Sequence, residues 1–412
     1  MQIKLNPLTK PLILRHNKSM PTVSSPKDIF DIHHKHAHSM ARTGTVKLAR
    51  GEVRTPVFMP IGTVASVKSL NCLDLEKIGF DIILGNTYHL WLKPDLEIFK
   101  ASKWCREIHN PLIHNTRESG LHSFQSWQKP ILTDSGGFQA WSLSKMRKFT
   151  EEGVKFKIPS NGDVRFLSPE ISMQIQTTLG SDIALVLDEC LSAEVTEKEA
   201  RRAMHRTLRW AERSKIEFER LRKLEPHGNV LFGIPQGAQF LELRRESARL
   251  TMKLDFAGYS IGGVANGGEP EEIMYEQVQA QTEILEEHKP RHLLGVGTPK
   301  DVIEMVKRGI DMFDCVYPTR NARHGSIFIW TDKQNLQYEM IKIESKRFET
   351  DFSPINSKSR LEELRIYSKA YLRHLFRAKE LLAYRLATLN NLEFYYDLME
   401  ILREKINNDE EF

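Results

Sequence analysis

Cysteine and long apolar runs are both scarce in this chain, and each scarcity removes a class of protein. Four cysteines occur, Cys72, Cys105, Cys190 and Cys315, none closely spaced with another. A disulfide scaffold and a Cys-x-x-Cys zinc motif are thereby excluded, and a reducing, cytoplasmic setting is expected. The longest apolar runs, such as Ile183-Ala-Leu-Val-Leu187, are strand-sized and far short of the about 20 residues that a membrane span needs, so no membrane partner is expected. Charge of one sign is not in excess either. The 59 basic and 54 acidic residues leave a net charge of +5, too weak to mark a nucleic-acid binder, although a local basic surface stays open. What is present is ordinary for a globular protein: 412 residues, 40% hydrophobic and 27% charged, with 23 Gly and 18 Pro. That balance excludes disordered and collagen-like chains and permits a sizeable core in one large domain or two.

Residues 1–28 are basic and punctuated by Pro7, Pro11, Pro21 and Pro26, and their one apolar patch, Pro11-Leu-Ile-Leu14, is too short for a signal-peptide core. A flexible tail is expected there, with Met20 as an alternative start. Eight short apolar runs then recur: Pro56 to Pro60, Ile82 to Leu84, Pro130 to Thr133, Ile183 to Leu187, Leu231 to Ile234, Gly258 to Ile261, His292 to Leu294 and Met312 to Val316. Continuous rather than alternating apolarity suits strands covered on both faces, as in a parallel sheet. Stretches between them, such as Lys198 to Arg222 and Leu241 to Lys253, carry the helical period. Eight strand–helix units over residues 29–330 predict an α/β fold, a (β/α)8 TIM barrel, with a doubly wound sheet as the competing arrangement. Residues 99–128 form an inserted excursion in this reading, Lys155 to Phe166 a hairpin turning at Asn161-Gly162, and residues 331–412 a C-terminal helical appendage.

A barrel places its active site at the C-terminal ends of its strands, so the polar residues that end each apolar run are the candidates. The third run ends in Asp134-Ser-Gly-Gly-Phe-Gln139, the fourth in Asp188-Glu-Cys190, the fifth in Gln236-Gly237 and the sixth in Gly262-Gly263, and the eighth contains Asp314. Converging carboxylates, an amide and backbone-exposing glycines suit a polar heterocycle with several donors and acceptors. Two carboxylates also suit glycosyl transfer, one as nucleophile on the anomeric carbon and the other for proton transfer. A lone Asp at a strand end is more often a helix cap; several at successive strand ends favour a site.

Those residues also carry a resemblance. Ile131-Leu-Thr-Asp-Ser-Gly-Gly-Phe-Gln139, Ile83-Leu-Gly-Asn-Thr-Tyr-His-Leu-Trp91, Gly233-Ile-Pro-Gln-Gly237, Gly295-Val-Gly-Thr-Pro299 and Phe313-Asp-Cys-Val-Tyr-Pro-Thr-Arg320 resemble the signature segments of tRNA-guanine transglycosylases of the bacterial type, also called queuine tRNA-ribosyltransferases. The match runs in order from about Phe30 to the C-terminus. It implies a barrel enzyme that exchanges the wobble guanine of certain tRNA anticodons for a 7-deazaguanine base, with no redox cofactor. By matching motif, Asp314 is the expected nucleophile and Asp134 the proton acceptor. Asp134, Ser135, Gly136, Gly137, Phe138, Asp188, Gln236 and Gly263 are the expected base-binding residues, Phe138 by stacking. Gly295, Val296, Gly297, Thr298, Pro299, Lys300 and Asp301 are the expected tRNA contact, and Thr319, Arg320, Asn321, Ala322 and Arg323 the contact to bases flanking the wobble position. The resemblance also implies a homodimer.

In three places the chain departs from the family pattern or adds to it. Members of the family carry a structural zinc site near the C-terminus, but its cysteine positions fall here on Ser359, Leu361 and Leu364 and its histidine position on Asn390. No zinc is therefore expected, and no other metal either, since the run His33-His-Lys-His-Ala-His38 has no accompanying Cys or carboxylate pattern. Gly262-Gly-Val-Ala-Asn-Gly-Gly-Glu269 is one residue longer and richer in glycine than its usual counterpart, which suggests a roomier site and queuine rather than only its smaller aminomethyl precursor. Arg365, Lys369, Arg373 and Arg377 at four-residue spacing are expected on one helix face, as a tRNA-tracking stripe or a solvated surface. Two rival functions stand beside base exchange. One is a catalytically silent tRNA-binding accessory subunit, which would normally lose the nucleophile and keep the zinc ligands, the reverse of what is seen. The other is a barrel glycoside hydrolase, against which Gln236 and the Arg320–Arg323 pair argue.

Overall fold

The computed structural model describes residues 29–102, 120–143, 146–159, 161–192, 194–224, 228–264 and 270–412. The basic tail, most of the expected excursion (103–119) and most of the glycine-rich loop (265–269) lie outside these residues.

The chain opens with an antiparallel sheet, strands β1 (Phe30–Lys35), β2 (Arg42–Leu48) and β3 (Gly51–Thr55). No apolar run announced it, because β1 alternates between covered and open positions and carries His and Lys on its outer side. The barrel follows at once. Strands β4 (Val57–Met59) and β5 (Ile61–Gly62) are one stave interrupted at Pro60, which has no N–H to give to a ladder, while its carbonyl still accepts from the Leu84 N–H at 3.0 Å. The next staves are β6 (Ile83–Gly85) and β7 (Ile131–Thr133). A small antiparallel sheet of β8 (Arg147–Phe149), β9 (Val154–Lys157) and β10 (Val164–Leu167) then intervenes, and it contains the hairpin expected around Asn161-Gly162. Staves β11 (Ile183–Leu185), β12 (Val230–Gly233), β13 (Gly258–Ile261), β14 (Arg291–Leu293) and β15 (Met312–Asp314) complete the set.

Their order is β4-β15-β14-β13-β12-β11-β7-β6-β5. Since β4 and β5 are consecutive, the sheet closes into an eight-staved barrel. Pairing of the last stave with the first, Met312 with Val57 and Asp314 with Met59, excludes the doubly wound alternative. Every stave falls within or beside one of the eight apolar runs, because a parallel strand is covered on both faces: Phe58, Leu132, Leu185, Phe232, Ile261, Leu293 and Phe313 are all fully buried. Local signals set the intervening helices. Helix Pro169–Leu179 starts with Ser168 accepting from the Ile171 N–H and Pro at its first turn, and it stops at Gly180, whose φ of 74° suits glycine.

The appendage differs from expectation in two respects. Strand β16 (Ser326–Asp332) pairs with β17 (Gln337–Lys342), so the boundary expected at residue 330 falls inside a hairpin strand. The basic stripe is not one helix face. The chain breaks at extended Tyr367 between helices Glu362–Ile366 and Lys369–Ala378, and Ser368 caps the second. Arg365 donates to the Ser359 carbonyl, Lys369 to the Ser353 hydroxyl, and buried Arg373 to the carbonyls of Glu344 and Ser345. Three of the four cations thus hold the appendage together instead of forming a track.

The final helix, Leu381–Asn407, ties the barrel's mouth to its floor. At the mouth Asn391 bonds the Phe328 N–H and the carbonyls of Pro318 and Ser326, and the Tyr395 hydroxyl donates to the Gly297 carbonyl. At the floor Arg403 donates to the Pro56 carbonyl and Asn407 accepts from the Thr43 hydroxyl. Among the described residues no helix is long and apolar enough to cross a membrane.

Candidate active site

The polar ends of the staves meet at the C-terminal mouth of the barrel. Asp134 follows β7 and is held from the neighbouring stave end, where Asn86 Nδ2 donates to its Oδ2 at 2.6 Å and the Thr87 N–H to its Oδ1 at 2.8 Å. Gln139 Nε2, one turn into the next helix, adds 2.7 Å to Oδ2. Asp134 keeps part of its surface open, but its carboxyl is enclosed at the floor of the mouth. Desolvation pushes it up to about 6 against those three hydrogen bonds, and the Asp314 carboxylate nearby adds to the rise. Such a group can exchange a proton near neutral pH.

Asp188, after β11, is buried and accepts three hydrogen bonds, from Gln236 Nε2 at 2.7 Å, the Ser135 hydroxyl at 3.1 Å and Cys190 Sγ at 3.2 Å. Burial raises its pKa while the three donors pull it back. Gln236, at the end of β12, is thereby fixed beside Gly262 and Gly263. A Cβ at Gly263 would lie 2.2 Å from Gln236 Oε1, and its φ of +67° is a glycine conformation, so this position requires glycine twice over. Arg244, wholly buried, closes the same loops from behind by donating to the carbonyls of Ala238, Gly262 and Gly263. Gly136, at φ 81°, lets the chain turn from Asp134 into helix Gly137–Ser142, and the Gly137 N–H returns to the Ser135 hydroxyl at 3.1 Å. Phe138 stands 42% exposed at the rim, its ring 5.7 Å from that of Trp141, open to stack on a planar ligand.

Asp314 ends β15. His292 Nε2 lies 2.8 Å from its Oδ1, and the Gly295 N–H donates to the same oxygen at 3.3 Å. Its neighbour Cys315 is pushed up to about 12 by burial, and burial raises Cys190 as well, so both remain thiols and the carboxylates are the nucleophilic candidates.

The two expected RNA segments frame this mouth, though not every residue in them faces outward. Thr298 caps helix Pro299–Lys307 by accepting from the Asp301 N–H, and Asp301 is buried with the Tyr275 hydroxyl donating to it at 2.9 Å. Val296 and Pro299 are buried too, whereas Lys300 is exposed and pairs with Glu271. In helix Tyr317–Arg323, Thr319 and Ala322 are buried, Arg320 is exposed, Asn321 Nδ2 donates to the Tyr317 carbonyl and Arg323 to the Thr319 carbonyl.

The four positions at which the resemblance implies zinc ligands do not fit a metal. Leu361 and Leu364 are buried among apolar neighbours. The Ser359 hydroxyl is committed to Glu393 Oε2 at 2.5 Å, and Asn390 Nδ2 donates to the Phe328 carbonyl at 2.9 Å. Glu393, buried, also accepts from the Arg360 N–H at 2.7 Å. A hydroxyl and an amide with no thiolate or imidazole form no zinc donor set. Among the described residues no group of three or more His, Cys, Asp or Glu is gathered as a metal site. Of the histidine run, His34 pairs with Asp409 and His36 with Ser39.

Sequence reasoning passed over Asn86, Thr87 and Gln139 around Asp134, Arg244 behind the glycine loop, and His292 with its partner Ser260. The strand-end rule could have found Asn86 and Thr87, which follow β6 as Asp134 follows β7. His292 sits inside an apolar run and gave no such signal.

Comparison with known proteins identifies the family. A family model described as queuine tRNA-ribosyltransferase matches residues 37–411. A queuine tRNA-ribosyltransferase of Neisseria meningitidis is 48% identical over 377 residues, covering 92% of this chain and 94% of that protein. One of Francisella tularensis subsp. novicida is 46% identical over 370 residues, covering 89% and 92%. One of Acidovorax ebreus is 45% identical over 396 residues, covering 92% and 94%. The chain therefore belongs to the queuine tRNA-ribosyltransferase family.

Proposed function

We propose that this protein is a pentosyltransferase of queuosine tRNA modification, exchanging the wobble guanine of a tRNA anticodon for a 7-deazaguanine base through a covalent glycosyl-enzyme intermediate. The observation that carries the reading is the meeting of Asp314, Asp134 and the Asp188–Gln236 pair at one barrel mouth. Asp314 attacks the ribose anomeric carbon, and the electron pair of the glycosidic bond leaves with guanine. Asp134 gives the departing ring nitrogen a proton and takes one from the incoming base, whose nitrogen then attacks the same carbon and returns the electron pair to Asp314. Asp188, an acceptor lined up by three donors, suits the N–H edge of a guanine-like base. Gln236 and the backbone at Gly263 face the same space, and Phe138 offers a stacking face. A base must leave the anticodon stack to reach Asp314, and a loop that is already single-stranded lowers that cost.

Against the accessory-subunit alternative stands the retention of Asp314, Asp134, Asp188 and Gln236, the groups this reading assigns to exchange, each hydrogen-bonded at the mouth. Labelled guanine should enter a tRNA with guanine at the wobble position and not the same tRNA with adenine there; failure to label the first would revive the glycoside hydrolase alternative. Queuine is the preferred incoming base in this reading, and exclusive use of the aminomethyl precursor would overturn that choice. The proposed partners are tRNA and a second copy of this chain, in the cytoplasm.

The protein is further proposed to work without zinc, the Ser359–Glu393–Arg360 bonds and the buried pair Leu361 and Leu364 holding together the region where the resemblance implies a metal site. Metal analysis of tag-free protein should find well below one zinc per chain, and a strong chelator should leave the melting temperature unchanged. Stoichiometric zinc, or a chelator-induced loss of the folding transition, would contradict this.

A further inference from the structure

The geometry points to His292 as a positioning residue for Asp314, one that selects which carboxylate oxygen attacks; the inference rests on the nucleophilic role given to Asp314 above. Sheet register puts the groups together. Ser260 on β13 pairs directly with His292 on β14, and His292 pairs with Met312 on β15. Asp314 lies two residues beyond Met312, so it shares that face of the strand and sits one pleat nearer the mouth. The three polar side chains thus form a diagonal row across adjacent staves: Ser260 Oγ is 3.0 Å from His292 Nδ1, and His292 Nε2 is 2.8 Å from Asp314 Oδ1. Both Ser260 and His292 are wholly buried.

Donor and acceptor rules fix the roles. An ionised carboxylate has no hydrogen to give, so Nε2 carries the one between them; in the neutral ring Nδ1 is then the acceptor and the Ser260 hydroxyl its donor, which locks the tautomer. The bonds from His292 and from the Gly295 N–H both fall on Oδ1. Oδ2, which accepts no hydrogen bond among the described residues, is the atom assigned to form the bond to the anomeric carbon. In the resulting ester Oδ1 is the carbonyl oxygen, and when the incoming base displaces the ester the returning negative charge meets the same two donors. His292 transfers no proton and touches no substrate, so its contribution is orientation of the carboxylate in both halves of the exchange.

The test uses the full chain with an anticodon stem–loop RNA and labelled guanine. His292→Leu should lower kcat about 100-fold with KM for RNA unchanged within about twofold, as expected for lost orientation of a reacting group. His292→Gln, whose Nε2–H can reach Oδ1, should recover kcat to within about tenfold of wild type. A Leu variant with wild-type kcat, or Gln and Leu variants equally impaired, would overturn the inference. Should the Leu variant show no cooperative melting, Ser260→Ala decides. It should stay folded and lose about three- to tenfold in kcat, and an unchanged kcat would overturn the inference. Wild-type protein and Asp314→Asn run alongside separate the two readings. No covalent adduct in wild type, or an adduct that survives Asp314→Asn, overturns the functional reading and this inference with it. An adduct that wild type forms and Asp314→Asn does not, and that both His292 variants form as fast as wild type, overturns this inference alone.

Discussion

Asp314→Asn is expected to lower guanine exchange by at least about 10⁴-fold while leaving the protein folded and bound to tRNA. The substitution preserves shape, and Asn Oδ1 can still accept from His292 and from the Gly295 N–H, so the loops at the mouth keep their anchors. What is lost is the negative oxygen that forms the bond. An amide oxygen is a poor nucleophile, and the Cys315 thiol beside it, pushed up to about 12 by burial, is no substitute. RNA affinity should change little, because the surfaces that frame the mouth, including exposed Arg320 and Lys300, are untouched. Rapid-quench kinetics with labelled guanine, next to filter binding of the same RNA, separates the two effects. A variant that exchanges guanine within tenfold of wild type would remove Asp314 from the mechanism.

Asp134→Asn should slow exchange by about 10³-fold, the middle of the range for a general acid–base group, and should also erase a pH signature. With its carboxyl pushed up to about 6, Asp134 is mostly protonated below that pH and mostly ionised above it. Expulsion of guanine needs the proton on Asp134, so adduct formation in a single turnover without incoming base should fall as pH rises through about 6. Capture of the incoming base needs the proton absent, so the reaction of preformed adduct with base should fall as pH drops through about 6. Opposite slopes in the two half-reactions are the mark of one group working in both directions. In the Asn variant both should be flat across that window, and opposite slopes that survive the substitution would assign the proton transfers elsewhere.

The barrel was legible in the sequence because parallel staves are covered on both sides and must be apolar throughout, and the eight runs from Pro56 to Val316 mark all of its staves. The place of Asp134, Asp188, Gln236 and Asp314 at the mouth was legible for a related reason, these being the polar residues at which that apolarity stops, and Gly263 follows its run in the same way. What escaped had no contrast with its surroundings. Strands β1 and β3 mix polar and apolar residues because one side of each is open, and β2, covered on both sides, buries the polar residues Arg42, Thr43 and Thr45. His292 is a polar residue within a stave, and its function depends on registers with β13 and β15 that no single-strand pattern reveals. The basic stripe failed because spacing of four means one face only in an unbroken helix, and Tyr367 breaks it. The C-terminal helix couples these levels. Through the Tyr395 hydroxyl it holds the Gly297 carbonyl, and so the loop whose Gly295 N–H donates to Asp314.

Covalent attachment of RNA to Asp314 is the central claim, and intact mass spectrometry of the trapped complex tests it most directly. Protein mixed with a wobble-guanine stem–loop and denatured before base is added should have the mass of enzyme plus RNA less one guanine, and digestion should place the RNA on the peptide that contains Asp314. Absence of that species from active protein, or its attachment to Asp134 or any other residue, would contradict the account.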